Sequence, residues 1–494
     1  MRNGVIIMLM LSILLPVLLG LGVLLKGEFK SRNTLLAITG AGLAATAALA
    51  LGVVFGAEQE LLLFSFGKNL DLYFHVDSMG KLFALVVNAI WVLAGFYAFE
   101  YMKHEQEETR FFGFYLMVHG ILNGLVFAGG MVTYYLFYEL MTLLSVPLIL
   151  HNRSKEAIKG GLKYLFYSLF GAYMVLFGLF FLNRFADNLS FLPGGTLNMA
   201  AVAGNEKLML VVAFSMIIGF SVKAGMFPLH AWLPTAHPVA PAPASAVMSG
   251  IIVKMGVLGM IRVVYYLVGP DFLRGTWVQT VWMSLALVTV FMGSMLAYRE
   301  KILKKRLAYS TVSQASYILF GLSLLQPQAM TGALLHVVFH AVIKSCLFLS
   351  AGAIIYKTHK TRVDDLRGIG KDMPVAIWCY TFASAALIGI PPASGFISKW
   401  YLATGALESG MGIFSWLGPV VLLTRALLTA GYLLPITVNG FLPGADYDYA
   451  SLQKKEPNLT MLLPLLILAA LAVGLGLLPG ALTDYITGIV AGVL

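Results

Sequence analysis

The sequence predicts an all-α polytopic membrane protein of about fourteen transmembrane helices, with two inverted five-helix repeats whose seventh and twelfth helices are broken. Three observations predict it. Apolar residues make up 59% of the 494 residues and charged ones 11%, too oily a balance for soluble domains. Apolar runs of 18 to 25 residues return along the whole chain, and in lipid each must satisfy its own backbone hydrogen bonds as a helix. Segments 26–33, 103–110, 151–159, 298–307, 357–371 and 437–458 hold 20 lysines and arginines, against five (Arg2, Lys68, Arg184, Lys207, Arg274) in the segments between them. This asymmetry predicts both termini on the outer side of the membrane. It also accounts for the net charge of +10 without nucleic-acid binding.

Taken in order, runs 4–25, 34–56 and 82–102 form an N-terminal segment, 1–110. The first run is too long for a signal-peptide core and is followed by Lys26 and Glu28, so it reads as a retained span. Runs 111–129, 131–150, 160–182, 207–226 and 243–267 make a first repeat, 111–267. Runs 277–297, 308–325, 331–356, 374–397 and 414–436 make a second, 277–440, and run 459–479 belongs to a C-terminal segment, 441–494. Lys223 stands five residues before Pro228 in the seventh run, and Pro391 and Pro392 precede Lys399 in the twelfth, the equivalent member of the second block. Five is odd, so successive blocks cross the membrane in opposite senses. Broken helices at matching positions of inverted halves point to an ion site near the midplane, because free backbone groups are tolerated there only where they line a cavity.

Eight basic residues fall within or at the edge of spans. Lys81 and Lys163 begin their helices and Arg262 lies near a span end, so all three are expected to snorkel. Lys223, Lys254, Lys344 and Lys399 lie deeper, at an insertion cost of about 2.5–3.5 kcal/mol each. Residues this costly are expected to face a hydrated interior and carry ions. Glu139, halfway along the fifth span, is the acid at comparable depth, and a carboxylate beside a lysine can trade protonation states with it. A static ion pair between helices is the alternative.

HVVFHAVIK places His336, His340 and Lys344 at four-residue steps, along one helix face that climbs about 12 Å. Imidazole exchanges protons near neutral pH, so this stripe reads as part of a proton wire. Two histidines at this spacing can also chelate, but no third ligand is near, and no metal site is expected. Cys346 and Cys379 lie inside spans without cluster or disulfide spacing, and GIGK at 368–371 is not a phosphate loop. No redox or hydrolytic site is predicted in this chain.

FYEL around Glu139, SVKAGMFPLHAWLPTAHPVAPAPASAVMSGIIVK with Lys223 and Lys254, HVVFHAVIK with Lys344, and GIPPASGFISKW with Lys399 resemble the antiporter-like subunits of respiratory complex I. The same subunit type occurs in Mrp sodium/proton antiporters and membrane-bound energy-converting hydrogenases. The resemblance spans all the runs, including FHVDSMGKLF with Asp77. It implies a proton-translocating or sodium/proton-exchanging membrane subunit that binds no cofactor. Redox centres are expected in partner subunits of a larger complex in an energy-transducing membrane, the prokaryotic plasma membrane. It implies that Glu139 pairs with Lys223, and that protons pass by Lys254, His336, His340 and Lys344 and leave near Lys399.

Two positions depart from that pattern. Thr235 stands where many relatives carry an acid, and Arg425 has no counterpart. A guanidinium does not deprotonate, so Arg425 is expected to face an acid or lipid headgroup at a subunit interface. AHPVAPAPASAVMSG looks most like the hydrogenase-linked members. Two other functions fit the composition: a self-sufficient transporter of a small anionic solute, drawn by the lysines, and a structural anchor for a peripheral enzyme.

Overall fold

The computed structural model describes residues 2–445, 447–448 and 454–494, so part of segment 437–458 lies outside the described residues. Helices α1 (Arg2–Lys26) and α2 (Arg32–Val54) lead to a hairpin of β1 (Glu60–Ser65) and β2 (Asp71–His75), paired antiparallel with Glu60 opposite His75. Next come α3 (Ser78–Tyr101), α4 (Glu108–Val126), α5 (Met131–Ile149), α6 (Lys155–Phe185), the short α7 (Met199–Val202) and α8 (Glu206–Ala224). Beyond its break the seventh span resumes as α9 (Leu233–Val239); the eighth is α10 (Ala242–Val247) and α11 (Val253–Ile261), joined and extended by π-helical turns at Met248–Ile252 and Arg262–Val268. After α12 (Pro270–Leu273) follow α13 (Trp277–Arg299), α14 (Leu303–Ser323), α15 (Pro327–Thr358) and α16 (Ile369–Asp372). The twelfth span is α17 (Pro374–Ile388) and α18 (Ser394–Glu408), followed by α19 (Ile413–Phe441), α20 (Leu459–Leu477) and α21 (Gly480–Ala491).

Among the described residues, eleven helices are long and apolar enough to cross a membrane, against the fourteen expected. The other three predicted spans are α4, α14 and the broken α17–α18. The first two bury polar side chains against protein: His119 and Asn123 in α4, and Ser310, Thr311 and Gln314 in α14. Facing other helices, these segments do not need uniform apolarity.

Both predicted breaks are present. α8 stops where Gly225 takes a left-handed conformation (φ 80°), and α17 stops at Gly389 (φ 94°), each supplying the positive φ that a glycine adopts without steric cost. Neighbour relations recur between the two blocks: α4 packs on α5 as α13 on α14, α5 on α6 as α14 on α15, and α6 grips both arms of the seventh span as α15 grips both arms of the twelfth. α15 is the axis of the molecule. It is buried almost throughout its length and touches α3, α10, α14, α17, α18, α20 and α21.

Candidate functional site

Lys223 occupies the last turn of α8, fully buried, immediately before the break. Its ammonium donates to Thr142 Oγ1 on α5 at 2.9 Å and, on α6, to Tyr164 OH at 3.1 Å and Ser168 Oγ at 2.8 Å. It also lies over the Tyr164 ring, 4.4 Å from the centroid. Hydroxyls both accept and donate, so this cage accommodates the ammonium and the neutral amine alike. Aromatic faces favour the cation.

The expected direct pair with Glu139 is not formed: no carboxylate of the described residues lies within 4.0 Å of Lys223. Glu139 is half-buried, one turn before Thr142 on α5, and its Oε1 has no partner. Thr142, three residues after Glu139, is the α5 residue that bonds the amine. Lys163, on α6, donates to Thr235 Oγ1 at 3.1 Å.

The π-turn at Met248–Ile252 frees the Ser249 carbonyl, and Lys254 donates to it at 2.5 Å while meeting His340 Nδ1 at 2.6 Å. His340 in turn stacks on His336, with ring centroids 5.7 Å apart. Lys344 departs from the expected ladder: its ammonium turns to the Leu307 carbonyl of α14 at 2.9 Å. Lys254, from another helix, takes the place beside His340 that the sequence had given to Lys344. All four side chains are buried.

Lys399 lies one turn into α18, half-buried, and reaches back across the break to the Leu387 and Ile388 carbonyls of α17, at 2.5 and 2.7 Å. These are final carbonyls of a helix, left without amide partners by its termination. Pro391 and Pro392 sit exposed in this break, as Pro228 does in the other; the Phe227–Pro228 and Pro391–Pro392 bonds are cis.

Arg425 corrects its expectation. It faces no subunit interface: the side chain is wholly buried, donating from Nε to Ser294 Oγ at 3.2 Å and Ser313 Oγ at 3.1 Å, with its guanidinium over the Tyr317 ring. Position 425 lies on the inward stripe of α19 with Leu422 and Thr429, one turn to either side. Arg262 also does not snorkel. It is 1% exposed and forms a two-pronged ion pair with Asp77, at 2.5 and 2.7 Å, tying the eighth span to the start of α3. Burial pushes the Asp77 carboxyl up, but Arg262 more than offsets this and holds it below the usual 3.8. Lys81 caps the Gly56 carbonyl at 2.8 Å.

Sequence reading missed the neutral groups that hold these ions. Gln314 of α14 bridges His336 and Arg425, and Ser398 of α18 meets His336 Nδ1 at 2.9 Å. A further buried network, His119–Asn88–Asn123, joins α4 and α3 and reaches the Ser12 carbonyl of α1. A polar residue inside an apolar run was the available signal. At one end of the bundle a cavity of about 480 Å³ is lined by His104, Glu105 and His151. Burial raises the Glu105 carboxyl above its ordinary value, and burial with nearby Arg110 lowers His151 to about 4. Among the described residues no group of three His, Cys, Asp or Glu is arranged to hold a metal ion.

Comparison with known proteins identifies the arrangement. The family model described as "NADH:quinone oxidoreductase/Mrp antiporter, TM" matches residues 128–424, and "NADH-Ubiquinone oxidoreductase (complex I), chain 5 N-terminus" matches residues 64–112. NADH-quinone oxidoreductase subunit N of Desulforudis audaxviator is 32% identical over 80% of this chain and 79% of that protein. Hydrogenase-4 component B of Escherichia coli is 31% identical over 82% of this chain, and the chain spans 62% of that relative. Na(+)/H(+) antiporter subunit A1 of Staphylococcus aureus is also 31% identical, over 85% of this chain and 54% of its own length. Among solved structures, a chain of the Mrp complex from Dietzia superposes with a TM-score of 0.85 at 21% identity, covering 100% of this chain and 98% of its own. A chain of the archaeal membrane-bound sulfane sulfur reductase superposes at 0.83 with 24% identity, covering 98% of this chain and 99% of its own. These likenesses establish a shared fold.

Proposed function

Because the chain belongs to the NADH:quinone oxidoreductase/Mrp antiporter membrane-subunit family, we propose that it moves protons along its buried Lys and His residues as one subunit of a larger membrane complex. One observation carries this reading: Lys223, Lys254, His340 and His336 are buried at the centre of an integral membrane bundle and held by groups compatible with more than one protonation state. A purely structural cation would be expected to have a carboxylate partner, as Arg262 does.

In this mechanism Glu139, half-open at the side of the bundle, takes up a proton. With that proton Glu139 loses its charge, the Lys223 ammonium loses the support of the carboxylate, and Lys223 releases a proton from its hydroxyl cage toward Lys254. Lys254 hands the proton to His340, the imidazole pair carries it to Lys399, and release follows at the break between α17 and α18. Lys344, bonded to α14 backbone, biases His340 electrostatically from outside the direct line. A relative is named as a Na(+)/H(+) antiporter subunit, and the proposal extends to sodium/proton exchange along these residues. The proposal includes a prokaryotic plasma membrane, both termini outside, redox or antiporter partner subunits, and repeats at 111–267 and 277–440 flanked by 1–110 and 441–494.

The test uses the intact complex in sealed vesicles with a pH-sensitive dye. Lys223→Met and Glu139→Gln should each abolish coupled proton movement while the complex still assembles. Normal coupled transport in both variants would overturn the reading.

A further inference from the structure

We propose that Arg425 and Gln314 form a latch on His336, holding it in one neutral tautomer and keeping the path from His340 to Lys399 closed until the Gln314 amide turns over. The proposal rests on the proton-transfer reading above and adds a positioning device to it.

The geometry starts from a cation without an acid. Arg425 is wholly buried, and no carboxylate of the described residues lies within 4.0 Å of it. Serine hydroxyls, Tyr432 and the Tyr317 ring surround it, and the Gln314 amide completes the set. The orientation of that amide follows from its neighbours. With its oxygen toward Arg425 Nη2, at 2.6 Å, its nitrogen meets His336 Nε2 at 2.8 Å, and the Leu387 carbonyl, which the amide nitrogen would reach at 3.3 Å in the opposite orientation, keeps its bond from Lys399. The opposite orientation sets amide N–H groups against guanidinium N–H groups.

His336 Nε2 is therefore an acceptor, and the ring proton resides on Nδ1, which donates to Ser398 Oγ at 2.9 Å. The Ser398 hydroxyl donates onward to the Gly395 carbonyl, at 3.3 Å, in the first turn of α18. All donors thus point the same way, from Arg425 through Gln314, His336 and Ser398 to the second arm of the broken helix. The ionisable groups acting on His336 are Lys399, Arg425 and Lys254, all bases, with His340 stacked beside it and the Tyr317 ring edge-on.

A proton reaching His336 needs the Nε2 lone pair that Gln314 occupies. Once protonated there, Nε2 becomes a donor and demands the amide oxygen, so Gln314 must turn and lose its bond to Arg425. One proton is then accepted at Nε2 from His340, whose own Nε2 has no partner in this structure. One proton leaves Nδ1 through Ser398 toward Lys399, so the ring ends neutral as the other tautomer. The guanidinium keeps its charge throughout. Its function is to set the cost of turning Gln314.

The latch is tested in proteoliposomes holding the complex isolated through a tag on this chain. Passive proton conductance per complex is read under an imposed potassium diffusion potential, across a range of pH. Arg425→Met and Gln314→Met should each raise the leak roughly tenfold or more, the worth of one hydrogen bond to a charged group, and move its pH profile upward. Arg425→Lys, which still donates to the Gln314 oxygen, should restore a low leak. If Arg425→Met does not assemble, Gln314→Met, of similar volume, decides alone. Leak and pH profile unchanged from wild type in the assembled variants would overturn the latch. Lys223→Met separates the two proposals: coupled transport surviving in that variant sinks the underlying reading. Coupling lost there with no leak in Gln314→Met sinks the latch alone.

Discussion

Arg262, in the eighth span, and Arg425, on α19, are both buried over aromatic rings. Their charges are treated differently. Arg262 is neutralised by a two-pronged bond to Asp77, whereas Arg425 meets hydroxyls, a ring and an amide. The lysines at the two breaks differ in a parallel way: Lys223 is caged by side-chain hydroxyls, and Lys399 is fixed on backbone carbonyls. A cation with a permanent acceptor is a clamp. A cation held by neutral, reversible groups leaves its field available to its neighbours, which is the role proposed above for Lys223 and Arg425.

Asp77→Asn should have the largest effect on stability, about 3–5 kcal/mol, because it leaves Arg262 as an uncompensated buried charge. Arg425→Met, which removes a buried charge that has no ion partner, should be nearly neutral or mildly stabilising. Thermal unfolding of the purified complex compares them directly, and equal losses would break the comparison. The two sites also separate with pH. The Asp77 carboxyl is depressed on folding, so its contribution is complete above the ordinary value of 3.8 and is lost as the pH falls below it. Proteolysis of the segment around Asp77 should accelerate over that acid range in wild type. In Asp77→Asn it should be fast at neutral pH and insensitive to acid.

At the breaks, Lys399→Met should cost about 1–3 kcal/mol, since two helix-end carbonyls lose a charged donor. Lys223→Met should cost less than about 1 kcal/mol, because the three hydroxyls can bond one another once the ammonium is gone. Chemical denaturation in detergent would reveal the ranking. A larger loss at Lys223 would mean that its cage is structural.

Spans, breaks and deep lysines were legible in the sequence because hydrophobicity, proline and charge are local signals. What holds the ions was not. Lys399 is bonded to backbone, which no side-chain pattern records. Arg425 finds Ser294 and Ser313 more than a hundred residues away, and serines in a membrane helix read equally well as packing residues. The position of Arg262 near a span end fits snorkelling and burial equally well, and Asp77 lies 185 residues earlier in the chain. The His336, His340, Lys344 stripe was read correctly as one helix face, yet periodicity along α15 carries no information about Lys254 arriving from α11.

The smallest predicted effect tests the finest feature of the comparison, the Thr142 hydroxyl that bonds Lys223 three residues from Glu139. Thr142→Val keeps the shape of the side chain and removes one of three acceptors from the ammonium, a loss of about 1 kcal/mol in the charged state. That is enough to slow coupled proton movement roughly fivefold if the hydroxyl carries the influence of Glu139 to Lys223. Thr142→Ser keeps the hydroxyl and should run near the wild-type rate. Dye-reported proton uptake in the two variants gives the answer: equal rates would mean that Glu139 acts on Lys223 through space, and that Thr142 only packs α5 against α8.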